Sequence, residues 1–359
     1  MRVLVIGAGI VGASAAYHLA KVGVDVEWVD RGDPGQATNA GAGVFYPWME
    51  EPGWQGLAPL VTHHYPELVA QLRGYGPDPG FHVVGGITVV PTREEAERAA
   101  AVLREFAARP GNEGMGEITV LEPGEPAARV PVVDPDVAGF HTSGMGRVDG
   151  RLLRDALHAA ALDHGARFRT GEVTLAPGTA TVDGEPVPAD RIVVAAGAWS
   201  VELCRPLGVE LPVYPQRGQI LHFAVADHDT ASWPNVRNTT DQYLLGFPGG
   251  RIVGGATREE AGFDHRLTAG GVHRVLGAVL AMAPGLADAT LAETRIGFRP
   301  MSRDGFPVLG PLRTAPDVIV ATGLGRNGLT LGPYTGLLAA DLTLDRTPPL
   351  DLTPYRPDR

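Results

Sequence analysis

The spacing of apolar and polar positions changes character several times along the chain. At the start, the continuous apolar run Val3-Leu4-Val5-Ile6 predicts a buried strand, and Ala13, Ala15, Ala16, Leu19 and Ala20 then recur at helical spacing up to Gly23. A second run, Val24 to Val29, predicts a strand that ends at Asp30. From Glu50 to Pro135 the pattern reads as helices and turns. The clearest is an amphipathic helix from Glu94 to Arg109 with Ala99, Leu103, Phe106 and Ala107 on one face, and no chemistry shows there. Asp149 is placed to cap a helix carrying Leu153, Leu157, Ala160 and Ala161 and ending near Gly165. Alternating segments follow at 166–170, 173–175 and 179–182, and the apolar run from Arg191 to Ser200 predicts a buried parallel strand. Pro212 to Gln219 reads as a crossing between two bodies. Strands are expected at 220–225, 243–247 and 251–255, a helix from Thr268 to Met282, and a strand at 318–321 whose glycine turn leads to a helix starting near Pro333. The proline-rich tail after Arg346 reads as irregular.

The junction of the first strand and helix is Gly7-Ala8-Gly9-Ile10-Val11-Gly12. In this pattern the first glycine makes the tight turn, the second admits a pyrophosphate close to the backbone, and the third lets helix pack on strand. In a chain with 48 glycines the spacing alone is weak. The strand before it, the helix after it and the acid beyond it make it specific for a dinucleotide. Asp30 suits the two hydroxyls of an adenosine ribose and would repel a 2′-phosphate. A signal peptide accounts for neither the glycine spacing nor Asp30, and a bilayer span is interrupted by the glycines, Ser14 and His18.

The 359 residues suffice for about two domains. The net charge of −11, without any basic run, lacks the electrostatic footprint of a nucleic-acid binder. Lys21 is the sole lysine, so arginine carries the other positive charge. The single cysteine, Cys204, fits a reducing cytoplasm. His63 and His64 are adjacent without a helically spaced partner, so no metal site is expected.

Seven stretches, in this order, resemble the D-amino-acid oxidase family of flavoenzymes and its glycine oxidase branch most closely: GAGIVG, TNAGAG, VVAAGAWS, PQRGQ, YLLGFPGGRIVGGAT, GFRPMSRDGFPVLG and GLGRNGLTLGP. The resemblance covers nearly the whole chain. It implies an α/β and α+β architecture with a Rossmann-like FAD domain. A substrate domain on a mixed, largely antiparallel sheet would interleave with it. The FAD domain would comprise 1–45, 140–215 and 305–345, the substrate domain 46–139 and 216–304, and the tail 346–359.

Carried over residue by residue, the resemblance implies non-covalent FAD with Gly7, Gly9 and Gly12 at its pyrophosphate and Asp30 at its adenosine ribose, and with Ile10, Val11 and Arg31 among the cofactor-binding residues. Thr38, Asn39, Ala40 and Gly41 would line pyrophosphate and flavin, with Val173 at adenine and Ala196, Gly197 and Trp199 close by. Gly323, Gly325, Arg326, Asn327, Gly328, Leu329 and Thr330 would surround the flavin ring. Arg299 matches the arginine that binds a substrate carboxylate, Tyr243 a substrate-facing tyrosine, and Tyr46 is a candidate second one. Oxidation of the C–N bond of a small D-amino acid, glycine or N-substituted glycine would follow, with oxygen or another acceptor reoxidising the flavin. The oligomeric state stays open. The cysteine and lysine that sarcosine oxidases use have no counterpart in the matching stretches. A 2-hydroxy-acid dehydrogenase on the same fold and a catalytically silent FAD-binding protein remain alternatives.

Overall fold

A computed structural model describes residues 1–49, 52–54, 56–226 and 228–359; the expected boundary at Glu50 lies outside them. The glycine motif joins strand Arg2–Ile6 to helix Ile10–Lys21, and strand Asp25–Asp30 follows. Gly23, with φ +82°, ends the helix, and its N–H bonds the Ala20 carbonyl at 2.9 Å. These strands sit inside a six-stranded sheet in the order 308–311, 318–322, 191–194, 2–6, 25–30, 167–170. All its pairs are parallel except 308–311 with 318–322. Helices Ile10–Lys21, Gly150–Asp163 and Gly328–Thr343 cover one face, where Ala13, Leu19, Leu153, Leu157 and Leu338 are buried. The other face packs on the small meander 173–176, 179–182, 185–186 through Leu4, Ile6, Leu175 and Val182.

The second sheet has eight strands in the order 290–302, 213–224, 251–255, 243–247, 235–238, 86–90, 138–142, 118–121. All of its pairs are antiparallel except 235–238 with 86–90. Helix Ala269–Met282 covers one face through Val275 and Val279, which meet Leu221, Phe223 and Ile252. The opposite face, with Ile220, Leu245, Phe247 and Val253, packs against Ala42 and Val44. The chain is therefore mixed α/β, and no described helix is long and apolar enough to cross a membrane.

Three expectations need correction. The region up to Pro135 is not only helices and turns: Gly86–Val90 and Ile118–Leu121 are strands of the large sheet. Gly86–Val90 is buried at every position, so it lacks the alternation that marks a half-exposed strand. Residues 213–219 are not a bare crossing but the first half of strand Val213–Ala224, paired along its whole length with Thr290–Ser302. The last helix begins at Gly328, five residues before Pro333.

Proline inside a helix removes the N–H that would bond the carbonyl four residues earlier. Here that carbonyl belongs to Leu329, and the hydroxyl of the fully buried Tyr65 donates to it at 2.8 Å. The Pro333 carbonyl in turn accepts from Ser14 Oγ at 2.6 Å. The tail is irregular apart from a short turn at Thr353–Tyr355, yet Tyr355 is buried and Arg359 bonds Asp304. Tyr65→Phe should strand the Leu329 carbonyl and destabilise the protein by about 1–3 kcal/mol. In a Pro333→Ala background the restored N–H should shrink that loss, as read from denaturant unfolding of all four proteins at one ligand content.

Candidate functional site

Strand Arg2–Ile6 enters the glycine turn through Gly7, whose φ is +105°. A Cβ on Gly7 would lie 2.4 Å from the Ala195 carbonyl oxygen, so strands 2–6 and 191–194 can approach this closely only at a glycine. Gly12 faces inward: a Cβ there would lie 1.9 Å from the Gly7 carbonyl oxygen. Trp28 Nε1 donates to that same oxygen at 2.8 Å. The helix beginning at Ile10 has no side-chain cap from Gly9 and no acid in its first turn, while the Ile10 N–H donates to Thr38 Oγ1 at 2.9 Å. A helix N-terminus left without an acid favours an anionic ligand.

Asp30 does more than the sequence suggests. Its Oδ2 accepts from the Ala8 N–H at 2.6 Å, and its Oδ1 accepts from the Gly32 N–H at 2.6 Å and from Gln36 Nε2 at 3.0 Å. The carboxylate therefore ties the glycine turn to the loop that carries Thr38. A carboxylate has about four lone-pair sites, so capacity remains for a ribose hydroxyl.

A cavity of ≈ 1080 Å³ opens at the carboxyl ends of the parallel strands, at Ile6, Val29, Ala195 and Ala321, and runs to the face of the eight-stranded sheet. Such strand ends are where open α/β sheets bind ligands. Gly7, Gly9, Ile10, Val11, Asp30, Arg31, Thr38, Ala40 and Gly41 line it, as do Val173, Ala196, Gly197 and Trp199. Gly325, Arg326, Asn327, Gly328, Leu329 and Thr330 line it too, at the N-terminus of helix Gly328–Thr343. Three expected residues do not. Gly12 lies beneath the turn, and Gly323 (φ +74°) serves the backbone turn. Asn39 faces an arginine cluster instead: its carbonyl accepts from Arg151 Nε at 3.1 Å, and its side chain accepts from Arg154.

One wall of the cavity follows from sheet register. Ile220, Gly255, Tyr243, Arg237, Thr88 and Phe140 lie opposite one another on successive strands and therefore share a face. Arg299 lies on the same face, and its side chain crosses Gly218 of the neighbouring strand; a Cβ on Gly218 would come within 2.5 Å of the guanidinium. Arg299 Nη1 donates to the Thr257 carbonyl at 3.1 Å, and the guanidinium lies beside the Tyr243 hydroxyl. No carboxylate of the described residues pairs with it. Burial pulls the Arg299 guanidinium below its ordinary value, and the Tyr243 hydroxyl opposes that shift. Burial pushes the Tyr243 phenol up, with the Arg299 charge acting against it.

Tyr46 lies at the same end. Its ring is 5.6 Å from that of Trp48, and the Arg237 guanidinium sits 5.7 Å from its centroid. Asp241 at the adjoining hairpin pairs with Arg258 at 2.7 Å and with Arg326 at 3.2 Å. Sequence reasoning missed Arg237, Asp241, Arg258 and Gly218. It also assigned no role to the helix now seen at Arg93–Ala107, yet its Ala99, Val102, Leu103 and Phe106 line the cavity. Alternation within the strand Asn235–Asn238 could have put Arg237 and Asn235 on one face, but only strand order shows which face.

The chain matches the family described as DAO, FAD dependent oxidoreductase, over residues 2–342. It is 42% identical to an uncharacterized oxidoreductase, YurR, of Bacillus subtilis (strain 168), over 99% of this chain and 98% of that one. Among solved structures, iminodiacetate oxidase from Chelativorans sp. BNC1 superposes with a TM-score of 0.95 at 40% identity, covering 99% of both chains. Glycine oxidase from Geobacillus kaustophilus superposes with a TM-score of 0.88 at 30% identity, covering 100% of this chain and 99% of that one.

Because the Arg299 fork lies across a glycine, Gly218→Ala should displace it without touching the cavity's other end. Calorimetric titration with acetate or benzoate should show carboxylate affinity falling about tenfold or more, the scale of one lost charge-assisted hydrogen bond. Equal affinities would mean that Gly218 does not position the guanidinium.

Proposed function

The chain belongs to the DAO family of FAD-dependent oxidoreductases, and from that premise we propose that it oxidises the C–N bond of a small amino acid: a D-amino acid, glycine or an N-substituted glycine. Family membership makes the cofactor FAD and makes amino-acid or amine oxidation the general activity. One observation carries the finer reading: among the described residues, the Arg299 guanidinium enters the cavity with the neutral Thr257 carbonyl and Tyr243 hydroxyl as neighbours and no carboxylate paired to it. A planar fork left without a carboxylate suits a substrate carboxylate held by two parallel hydrogen bonds.

The residues present fit FAD. The cavity is large, and the glycine turn, an acid-free helix start and the start of helix Gly328–Thr343 all line it. We assign the nucleotide half to Gly7, Gly9, Ile10, Val11, Asp30, Arg31, Thr38 and Val173. Ala40, Gly41, Ala196, Gly197 and the Gly325–Thr330 turn would hold the flavin half. Gly12 and Gly323 would act through the turns they form. Segments 1–45, 140–215 and 305–345 would then form the FAD-holding body, and 46–139 with 216–304 the substrate-holding one. Cys204 is buried among apolar side chains and its thiol is pushed up to about 12, so attachment through sulfur is disfavoured.

FAD supplies a two-electron acceptor for the hydride leaving the carbon beside nitrogen. Arg299 and Tyr243 would bind and orient the carboxylate, and positioning of this kind supplies much of the rate. The apolar wall of Ile220, Phe140, Leu103 and Phe106 restricts water while the bond is oxidised. The amine must react uncharged, since its lone pair forms the C=N bond as the C–H bond breaks. Hydrolysis of the imine then gives an oxo acid and ammonia or an amine. The similarity to an iminodiacetate oxidase and a glycine oxidase supports both secondary and primary amines as substrates. Oxygen or another acceptor would reoxidise the flavin.

Two outcomes test this reading. Arg299→Ala should keep FAD bound and lower kcat/KM for amino acids about a hundredfold or more, with Arg299→Lys recovering only part. Equal kcat/KM values would make Arg299 structural. Asp30→Ala should weaken FAD retention, measured by fluorescence titration of the stripped protein, by tenfold or more, since each charge-assisted bond contributes about 1.5–3 kcal/mol. Turnover of the fully loaded variant should change far less; unchanged affinity would remove Asp30 from the cofactor site.

A further inference from the structure

Arg237 is the second arginine on the cavity wall without an ion pair to a described carboxylate; the charge of Asp241 is felt at longer range. Its Nε donates to Thr88 Oγ1 at 3.1 Å and its plane lies beside the Tyr46 ring, so the stem is fixed by neutral partners alone. The two Nη nitrogens have no hydrogen bond to a described residue, and Arg237 lines the cavity. The nearby Asp241 is engaged by Arg258 and Arg326. Register places Arg237 directly opposite Tyr243, where Cβ atoms of such a pair lie about 4.5–5.5 Å apart. Arg299 reaches the Tyr243 hydroxyl from the other side of that strand. Two cationic forks thus flank one tyrosine on one wall. A half-buried guanidinium left without an anion has lost hydration that a neutral hydroxyl and a ring only partly replace.

We propose that Arg237 binds a second acidic group on the substrate, so that the preferred substrates are amino dicarboxylic acids: iminodicarboxylates or acidic amino acids, with one carboxylate on Arg299 and the other on Arg237. This rests on the amino-acid reading of the Arg299 site. The second carboxylate lies on the wall away from the reacting C–N bond, and its binding alters selectivity without changing the bond chemistry.

Matched pairs of compounds test it in the FAD-loaded protein. Anaerobic flavin reduction is followed with N-methylglycine against N-(carboxymethyl)glycine and with D-alanine against D-aspartate. The ethers methoxyacetate and oxydiacetate, which carry no amine, are titrated by the flavin spectrum. The wild type should favour the diacid of at least one amine pair, and oxydiacetate over methoxyacetate, by tenfold or more. Arg237→Gln should bring those ratios close to one, and Arg237→Lys should hold them at an intermediate value. A merely structural arginine would lower both members of a pair together and leave the ratios standing. Wild-type ratios near one, or ratios that survive Arg237→Gln, overturn the proposal. If no amine reduces the flavin, amino-acid oxidation itself fails, and the ether pair still decides whether Arg237 reads a second carboxylate.

Discussion

The Asp30 carboxylate is the constraint on which the ligand end of this structure depends. It takes N–H groups from the glycine turn, from Gly32 and from the Gln36 side chain, and so joins the ends of the first two strands to the loop that follows. Thr38, at the far end of that loop, then accepts from the first amide of the opening helix. Loop, turn and helix start are thereby set relative to one another before any ligand arrives. Charge-assisted bonds to backbone amides are among the stronger ones available to a carboxylate. A cavity built by such bonds needs little rearrangement to receive its ligand, which lowers the entropic cost of binding.

The same arrangement shows which parts of the fold could be read along the chain. The turn at Gly7, the packing at Gly12 and the strand ending at Asp30 were legible because they depend on neighbours close in sequence: strand, turn, helix, strand. The strand Gly86–Val90 was not, because its partners are 138–142 and 235–238, far along the chain, and its continuous burial erases the alternation that would have revealed it. Pro333 misled for a related reason. Proline often begins a helix, but here Tyr65, remote in sequence, supplies the hydrogen bond that proline cannot.

The site divides along the same line. Arg299 and Tyr243 were found through motif resemblance, and the structure brings them into contact. Asn39 sits in the middle of an equally recognisable stretch, yet it turns toward Arg151 and Arg154, because the four-residue helix Ala37–Ala40 presents Thr38 and Ala40 to the cavity and Asn39 elsewhere. Arg237 carries no motif at all. Its place beside Tyr243 exists only because strand 235–238 pairs with strand 243–247.

Electrostatics explains why such a wall is built on a sheet and not on loops. Burial pulls the Arg299 guanidinium below its ordinary value and pushes the Tyr243 phenol up, so each is held in surroundings that disfavour its charged form. Arg299 nonetheless remains cationic at any working pH, and its desolvation penalty weighs against the ligand-free state. An arriving carboxylate relieves that penalty, and the gain is greatest if the guanidinium has no alternative partner to which it can turn. Pairing of strand 213–224 with 290–302 fixes the Arg299 backbone, Gly218 leaves room for its side chain, and the Thr257 carbonyl limits its rotation. A mobile loop would let the arginine move toward solvent or toward Asp241. On the proposed reading, rigid backbone with an unneutralised charge would turn a stability cost of the free protein into selectivity for anionic substrates.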